Sequence, residues 1–204
     1  MSEPKTPARS LVGSTLSRGL KLNRSAARAA VNGFDWAFRR DSLIRSGKTW
    51  FELVHDTDLM SVRYYGLPDE SMIELSDGST MPVERKQQPV PLVLVPPLGV
   101  TANTFDLMPN RSLARFMAAR GFRTYMIDWG KPTKEHDGEL SMVDYSGRLM
   151  TQALEAIRAH SGTKDVSLMG WCMGGLISII HTGLHGTDGI RNLVTAASPV
   201  DIRS

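Results

Sequence analysis

Cys172 is the only cysteine in a chain of 204 residues, and it stands within Gly170-Trp171-Cys172-Met173-Gly174-Gly175. A lone thiol forms no internal disulfide and no cysteine-based metal site, and it is ordinarily a small buried hydrophobe. The flanking glycines suggest more. Gly-x-nucleophile-x-Gly is the spacing with which a strand turns abruptly into a helix and lifts a nucleophilic side chain above the sheet. The turn is tight and strained. Strand and helix come so close that side chains at Gly170 and Gly174 are expected to clash, and Gly175 lets the helix approach further. A helix start favours negative charge, and the thiolate is the nucleophilic form. The chemistry expected is acyl transfer through Cys172. The backbone N–H of Met173 would face the oxyanion, and a second donor would come from Leu98 or Gly99, after Pro96-Pro97. The plainer alternative is a tight glycine turn around a buried thiol.

No acid or base accompanies the thiol. His181 lies nine residues on; at about 100° per residue it faces away from Cys172, roughly 13 Å along the axis. His185 is further still, so both read as ordinary helix or helix-end histidines. His160 suits a helix C-terminus, and His55 belongs to an early strand. His136 lies in a loop and could approach the mouth of the site. Asp201 follows the last strand, where capping or solvation explains it as well as an acid role does.

The elements that must position the motif are legible from hydrophobic pattern. Pro91-Leu-Val-Leu-Val95 reads as a buried strand closed by two prolines. A short helix over 113–120 ends at Gly121. Residues 122–127 read as a second buried strand. Ser141 with Asp144 opens a helix in the manner of a capping box; Leu149, Ala153 and Ile157 share one face, and the helix ends near Gly162. A strand over 166–169, a helix over 173–184 and a strand over 190–196 follow. Alternating strands and helices predict a parallel sheet with crossover helices. Upstream, 50–54 and 61–65 read as short strands, and Asp77-Gly78 suggests a hairpin or an irregular segment within 71–84.

Composition bounds the rest. Hydrophobic residues make up 41% and charged residues 22%, as in an ordinary globular protein. No apolar run reaches the ~20 residues of a membrane helix, and Met1 to Ser10 lacks the apolar core of a secretory signal; a cytoplasmic location is expected. Residues 1–50 hold ten Lys/Arg against three Asp/Glu, and 51–204 hold fourteen against eighteen. Residues 1–47 therefore read as a basic leader: disordered at first, then one or two amphipathic helices with a break near Asn32-Gly33. The leader is either a solvated tail or an arm for an anionic surface or partner. No nucleic-acid motif is present.

Several segments together resemble polyhydroxyalkanoate synthases of the α/β-hydrolase superfamily. They are Lys48-Thr49 before Phe51-Glu-Leu-Val54, Pro91-Leu-Val-Leu-Val-Pro-Pro97, Phe105-Asp-Leu with Asn110-Arg-Ser-Leu113, Gly121-Phe with Ile127-Asp-Trp129, and Leu168-Met-Gly-Trp-Cys-Met-Gly-Gly175. They span roughly 48–197. The resemblance implies a partial α/β-hydrolase fold over 48–204, a mostly parallel sheet with flanking helices preceded by the basic helical leader. It implies an acyltransferase that polymerises hydroxyacyl-CoA through a Cys172 thioester, with no cofactor beyond that substrate and no metal. A homodimer or second synthase subunit and a polyester granule surface are the implied partners. It also implies an acid and a base beyond Ser204, so that the chain is a truncated reading frame, a fragment or a degenerate copy. A cysteine thioesterase or esterase, and a non-catalytic interaction module, are the alternatives.

Overall fold

A computed structural model describes residues 49–130 and 140–201, within the compact unit Arg45–Ser204. The expectations for the leader, and His136, lie outside the described residues.

Among the described residues, ten strands and four helices follow in chain order. β1 (Glu52–Asp56) and β2 (Ser61–Tyr65) pair antiparallel. β3 (Met72–Glu74) and β4 (Thr80–Pro82) form a separate hairpin around Asp77-Gly78, the first of the two alternatives for 71–84. β5 (Leu92–Val95) leads through a short 3-10 turn to β6 (Asp106–Met108), β7 (Arg111–Ser112) and helix α1 (Leu113–Ala119). β8 (Thr124–Asp128) returns to the sheet. Helix α2 (Met142–Asp144) passes through a π-helical turn, Tyr145–Leu149, into α3 (Met150–Ser161). β9 (Val166–Trp171), α4 (Met173–His185) and β10 (Ile190–Ala196) complete the order.

The main sheet has six strands in the order β1-β2-β8-β5-β9-β10. β8, β5, β9 and β10 are parallel neighbours, and β2 joins β8 antiparallel. This is the expected mostly parallel sheet with helices on its faces. β5 and β8 are buried at every residue, because a strand covered on both faces needs apolar side chains at both parities. The alternation is visible in the packing. Val93 and Val95, with Tyr125 and Ile127, pack against the π turn, α3 and α4 through Leu149, Ala153, Leu154, Ile157 and Ile177. Leu92 and Leu94, with Met126, pack on the other face against Phe105, Ala114 and Ala118.

The helix ends carry the signals the sequence shows. Ser112 caps α1 by accepting from the Arg115 N–H, and Gly121, at φ +83°, turns the chain where a Cβ would meet the Lys86 carbonyl oxygen at 2.5 Å. Ser141 and Asp144 form the reciprocal capping box at the start of α2. Gly162 closes α3 in the left-handed region. The π turn is a departure from the single α-helix expected there. It is one residue wider than an α turn, and the Ser146 carbonyl it presents is taken up by His181 of α4. Among the described residues no helix is long and apolar enough to cross a membrane.

Candidate active site

Cys172 sits where β9 becomes α4, with φ 52° and ψ −119°. A non-glycine residue at positive φ is strained by roughly 1–3 kcal/mol, and surrounding contacts must hold it there. Its own N–H donates to the Ala196 carbonyl at 2.8 Å, which ties the turn to the end of β10, and its carbonyl accepts from the Gly175 N–H at 3.0 Å. The thiol is half-buried, next to the exposed Trp171.

Backbone closes the space at Gly170 and Gly174, and a side chain closes it at Gly175. A Cβ at Gly170 would lie 2.5 Å from the Gly174 oxygen and the Gly175 backbone; at Gly174 it would lie 2.0 Å from the Val95 oxygen and 2.7 Å from the Pro96 oxygen; at Gly175 it would lie 1.9 Å from Ser198 Oγ. The start of α4 is thus wedged between the end of β5 and the segment after β10. Met173 is the first helical residue, so its N–H has no acceptor within the helix.

Leu98 lies in the turn that follows β5, half-buried against the α3/α4 face of the core, with Gly99 at φ +76° beside it. Two contacts set the course of this loop. Gly174 backs onto the Val95 and Pro96 carbonyls, and Trp129 Nε1 donates to the Pro96 oxygen at 2.9 Å inside the core. The first turn of α4, through Gly174, and the loop that carries Leu98 therefore share one backbone junction.

The histidines are engaged elsewhere. His181 is buried, and its Nδ1 lies 2.8 Å from the Ser146 carbonyl oxygen; burial pushes its pKa down. His185 stacks on it with ring centroids 4.7 Å apart. His160, at the end of α3, has Nδ1 2.8 Å from the Tyr125 hydroxyl and Nε2 3.4 Å from Glu52 Oε1. Burial, with Tyr64 alongside, pushes the Tyr125 phenol up to about 12 and keeps it protonated. His55 lies in β1, and Asp201 is exposed after β10. Among the described residues no imidazole is hydrogen-bonded to Cys172, and no group of three or more His, Cys, Asp or Glu side chains could hold a metal.

One polar cluster escaped the residue-by-residue reading of the sequence. Asp106 is 2% exposed, and it accepts from Thr49 Oγ1 at 2.6 Å and from the Tyr65 hydroxyl at 3.3 Å. Burial, then the Asp106 charge, raises the Tyr65 pKa, so the phenol remains a donor. The neighbouring Phe105 meets Trp171 edge-on at 6.5 Å, which links this cluster to the residue before the thiol. A lone aspartate between apolar residues carries no burial signal of its own; its partners come from 57 and 41 residues away. Ser198 was equally unforeseen. Its hydroxyl is buried over Gly175 with no hydrogen-bond partner among the described residues. A cavity of about 480 Å³ between the β3–β4 hairpin and the start of α1 does not include Cys172.

No family model matches the chain. Individual relatives do. The chain is 36% identical over 117 residues to the "Poly(3-hydroxyalkanoate) polymerase subunit PhaC" of Allochromatium vinosum, covering 57% of this chain and 32% of that protein. It is 31% identical over 152 residues to the subunit of the same name from Haloferax mediterranei, covering 74% of this chain and 27% of that one. The chain thus spans about a third of the length of the curated relatives it matches. Among solved structures, the mature form of Bacillus licheniformis lipase BlEst2 superposes with a TM-score of 0.45 at 20% identity, over 58% of this chain and 45% of that one. An α/β hydrolase, MGS-MChE2, superposes with a TM-score of 0.41.

Proposed function

Because this chain belongs to the poly(3-hydroxyalkanoate) polymerase family, we propose that it carries the acyl-accepting centre of a hydroxyacyl-CoA polymerase, with Cys172 as the nucleophile. The observation that carries the reading is the half-exposed thiol held at φ 52° at the start of α4, between Gly170 and Gly174, where backbone atoms leave no room for a Cβ.

The chemistry follows from the position. The Cys172 sulfur, as thiolate, attacks the thioester carbonyl of a 3-hydroxyacyl-CoA. The carbonyl π pair moves to oxygen, and the N–H groups of Met173 and Leu98 stabilise that oxyanion. Collapse expels CoA as its thiolate and leaves the acyl group on Cys172 as a new thioester. Elongation requires a 3-hydroxyl oxygen to attack that thioester and regenerate the thiol. The proton from the hydroxyl needs a base, and none of the described histidines stands at the sulfur. Pairing with a second subunit, contact with a polyester surface and a cytoplasmic location belong to the same proposal.

The test is incubation of the whole chain with 3-hydroxybutyryl-CoA, read by CoA release and by the mass of the Cys172 peptide. One hydroxybutyryl group on Cys172, absent from Cys172→Ala, is the expected result. Release of free acid with no acyl-enzyme would instead indicate a thioesterase. An unmodified Cys172 with no CoA release would overturn the nucleophile assignment.

A further inference from the structure

His181 and His185 stand four residues apart near the end of α4, a spacing that places both imidazoles on one helix face. Their ring centroids are 4.7 Å apart, with the planes inclined by 31°. His181 Nδ1 faces the Ser146 carbonyl oxygen at 2.8 Å. A carbonyl only accepts, so Nδ1 carries the ring proton and the lone pair is left on Nε2, for which the described residues offer no hydrogen bond. This is how metal-binding imidazoles are held: the second nitrogen donates to a backbone carbonyl, which fixes both tautomer and ring orientation. Here the π turn supplies that carbonyl. Burial lowers the His181 pKa, which keeps the ring in its neutral, ligating form. His185 is exposed and supplies the second nitrogen.

We propose that His181 Nε2 and the imidazole of His185 form a two-histidine site for a divalent transition-metal ion at the end of the elbow helix. Imidazole pairs suit Zn²⁺, Ni²⁺ and Cu²⁺ over the hard cations, and the same i, i+4 pairing on a helix supplies two ligands in zinc proteases. No third His, Cys, Asp or Glu among the described residues joins the pair, so water completes the shell and the affinity is modest. Arg158 lies near enough for its charge to be felt at His181. Its guanidinium is turned toward the Lys164 and Gly189 carbonyls.

Calorimetric titration with Zn²⁺ tests the site, using the whole chain with Cys172→Ser so that the thiol does not compete. One site is expected. His185→Gln, at an exposed position, is expected to weaken it about tenfold or more, the equivalent of ~1.4 kcal/mol. His181→Asn keeps an N–H donor near Ser146 but removes Nε2, and it is expected to give the same loss of affinity, with its zinc-free melt recorded alongside. His160→Gln is expected to leave the affinity unaltered. Absence of zinc binding, or equal affinity in the His185→Gln chain, would overturn the proposal. If His181→Asn alters the zinc-free melt, the His185→Gln result decides.

Discussion

At Cys172 the backbone conformation and the chemistry pull in opposite directions. Positive φ favours glycine, yet a thiol stands there. Cys172→Gly is therefore expected to raise stability, by about 1 kcal/mol from relieved strain, while abolishing acylation; urea unfolding and the acylation assay measure the two halves. The elbow glycines differ in what blocks them. Gly174→Ala drives a methyl onto the Val95 and Pro96 carbonyls, and backbone cannot step aside. It should cost more than the ~1–3 kcal/mol of ordinary overpacking. Gly175→Ala meets chiefly the side chain of Ser198, which can rotate, so its unfolding midpoint should fall less. Gly183, also in α4, faces open space: a Cβ there would meet nothing within 4 Å. Gly183→Ala should stabilise the helix by about 0.5–1 kcal/mol.

At the scale of elements, α4 is held at both ends by atoms distant in sequence. Its start is wedged against β5 and the segment after β10, and its last turns are tied to the π turn through His181. Because burial lowers the folded-state pKa of His181 below its usual 6.5, the unfolded chain binds the proton first as pH falls. Stability contributed by neutral His181 is full above about 6.5 and declines as pH drops below it toward the folded-state value. The urea midpoint, followed from about pH 7.5 to about pH 5.5 across the histidine titration, should depend less steeply on pH in His181→Asn. The loop after β5 depends on Trp129. Trp129→Phe keeps an aromatic ring but leaves the Pro96 carbonyl oxygen without its indole donor. A loss of about 1–3 kcal/mol is expected from the unpaired buried acceptor, together with slower Cys172 acylation as the Leu98 loop loosens.

For the molecule as a whole, β10 pairs only with β9 among the described residues. Leu193 and Val194 are 38% and 48% exposed on that strand. A long apolar edge strand is a template for association. The chain is expected to self-associate at micromolar concentration, and Val194→Lys to shift it toward monomer; sedimentation velocity distinguishes the two. A concentration-independent monomer of the unsubstituted chain would contradict this.

Much of this architecture is encoded locally. The apolar run at 92–95, and Tyr125 to Ile127 within the strand read over 122–127, announce strands covered on both faces, because only burial on both sides rewards apolar side chains at both parities. Ser141 and Asp144 mark a helix start because the two side chains satisfy each other's backbone donors within one turn. The Gly170–Gly175 spacing announces a close strand–helix crossing because backbone leaves no room for a side chain at Gly170 or Gly174. Tertiary structure alone decided that β8 enters between β2 and β5, that Val95 and Pro96 are what Gly174 meets, and that Ser198 covers Gly175. It also buried Asp106 between Thr49 and Tyr65, and it turned His181 from a helix-face residue into the partner of a π-turn carbonyl. The physical reason is one of range. Propensity, capping and turn geometry act within a few residues, whereas strand order and the pairing of buried polar groups depend on segments that meet only after the sheet has closed around them.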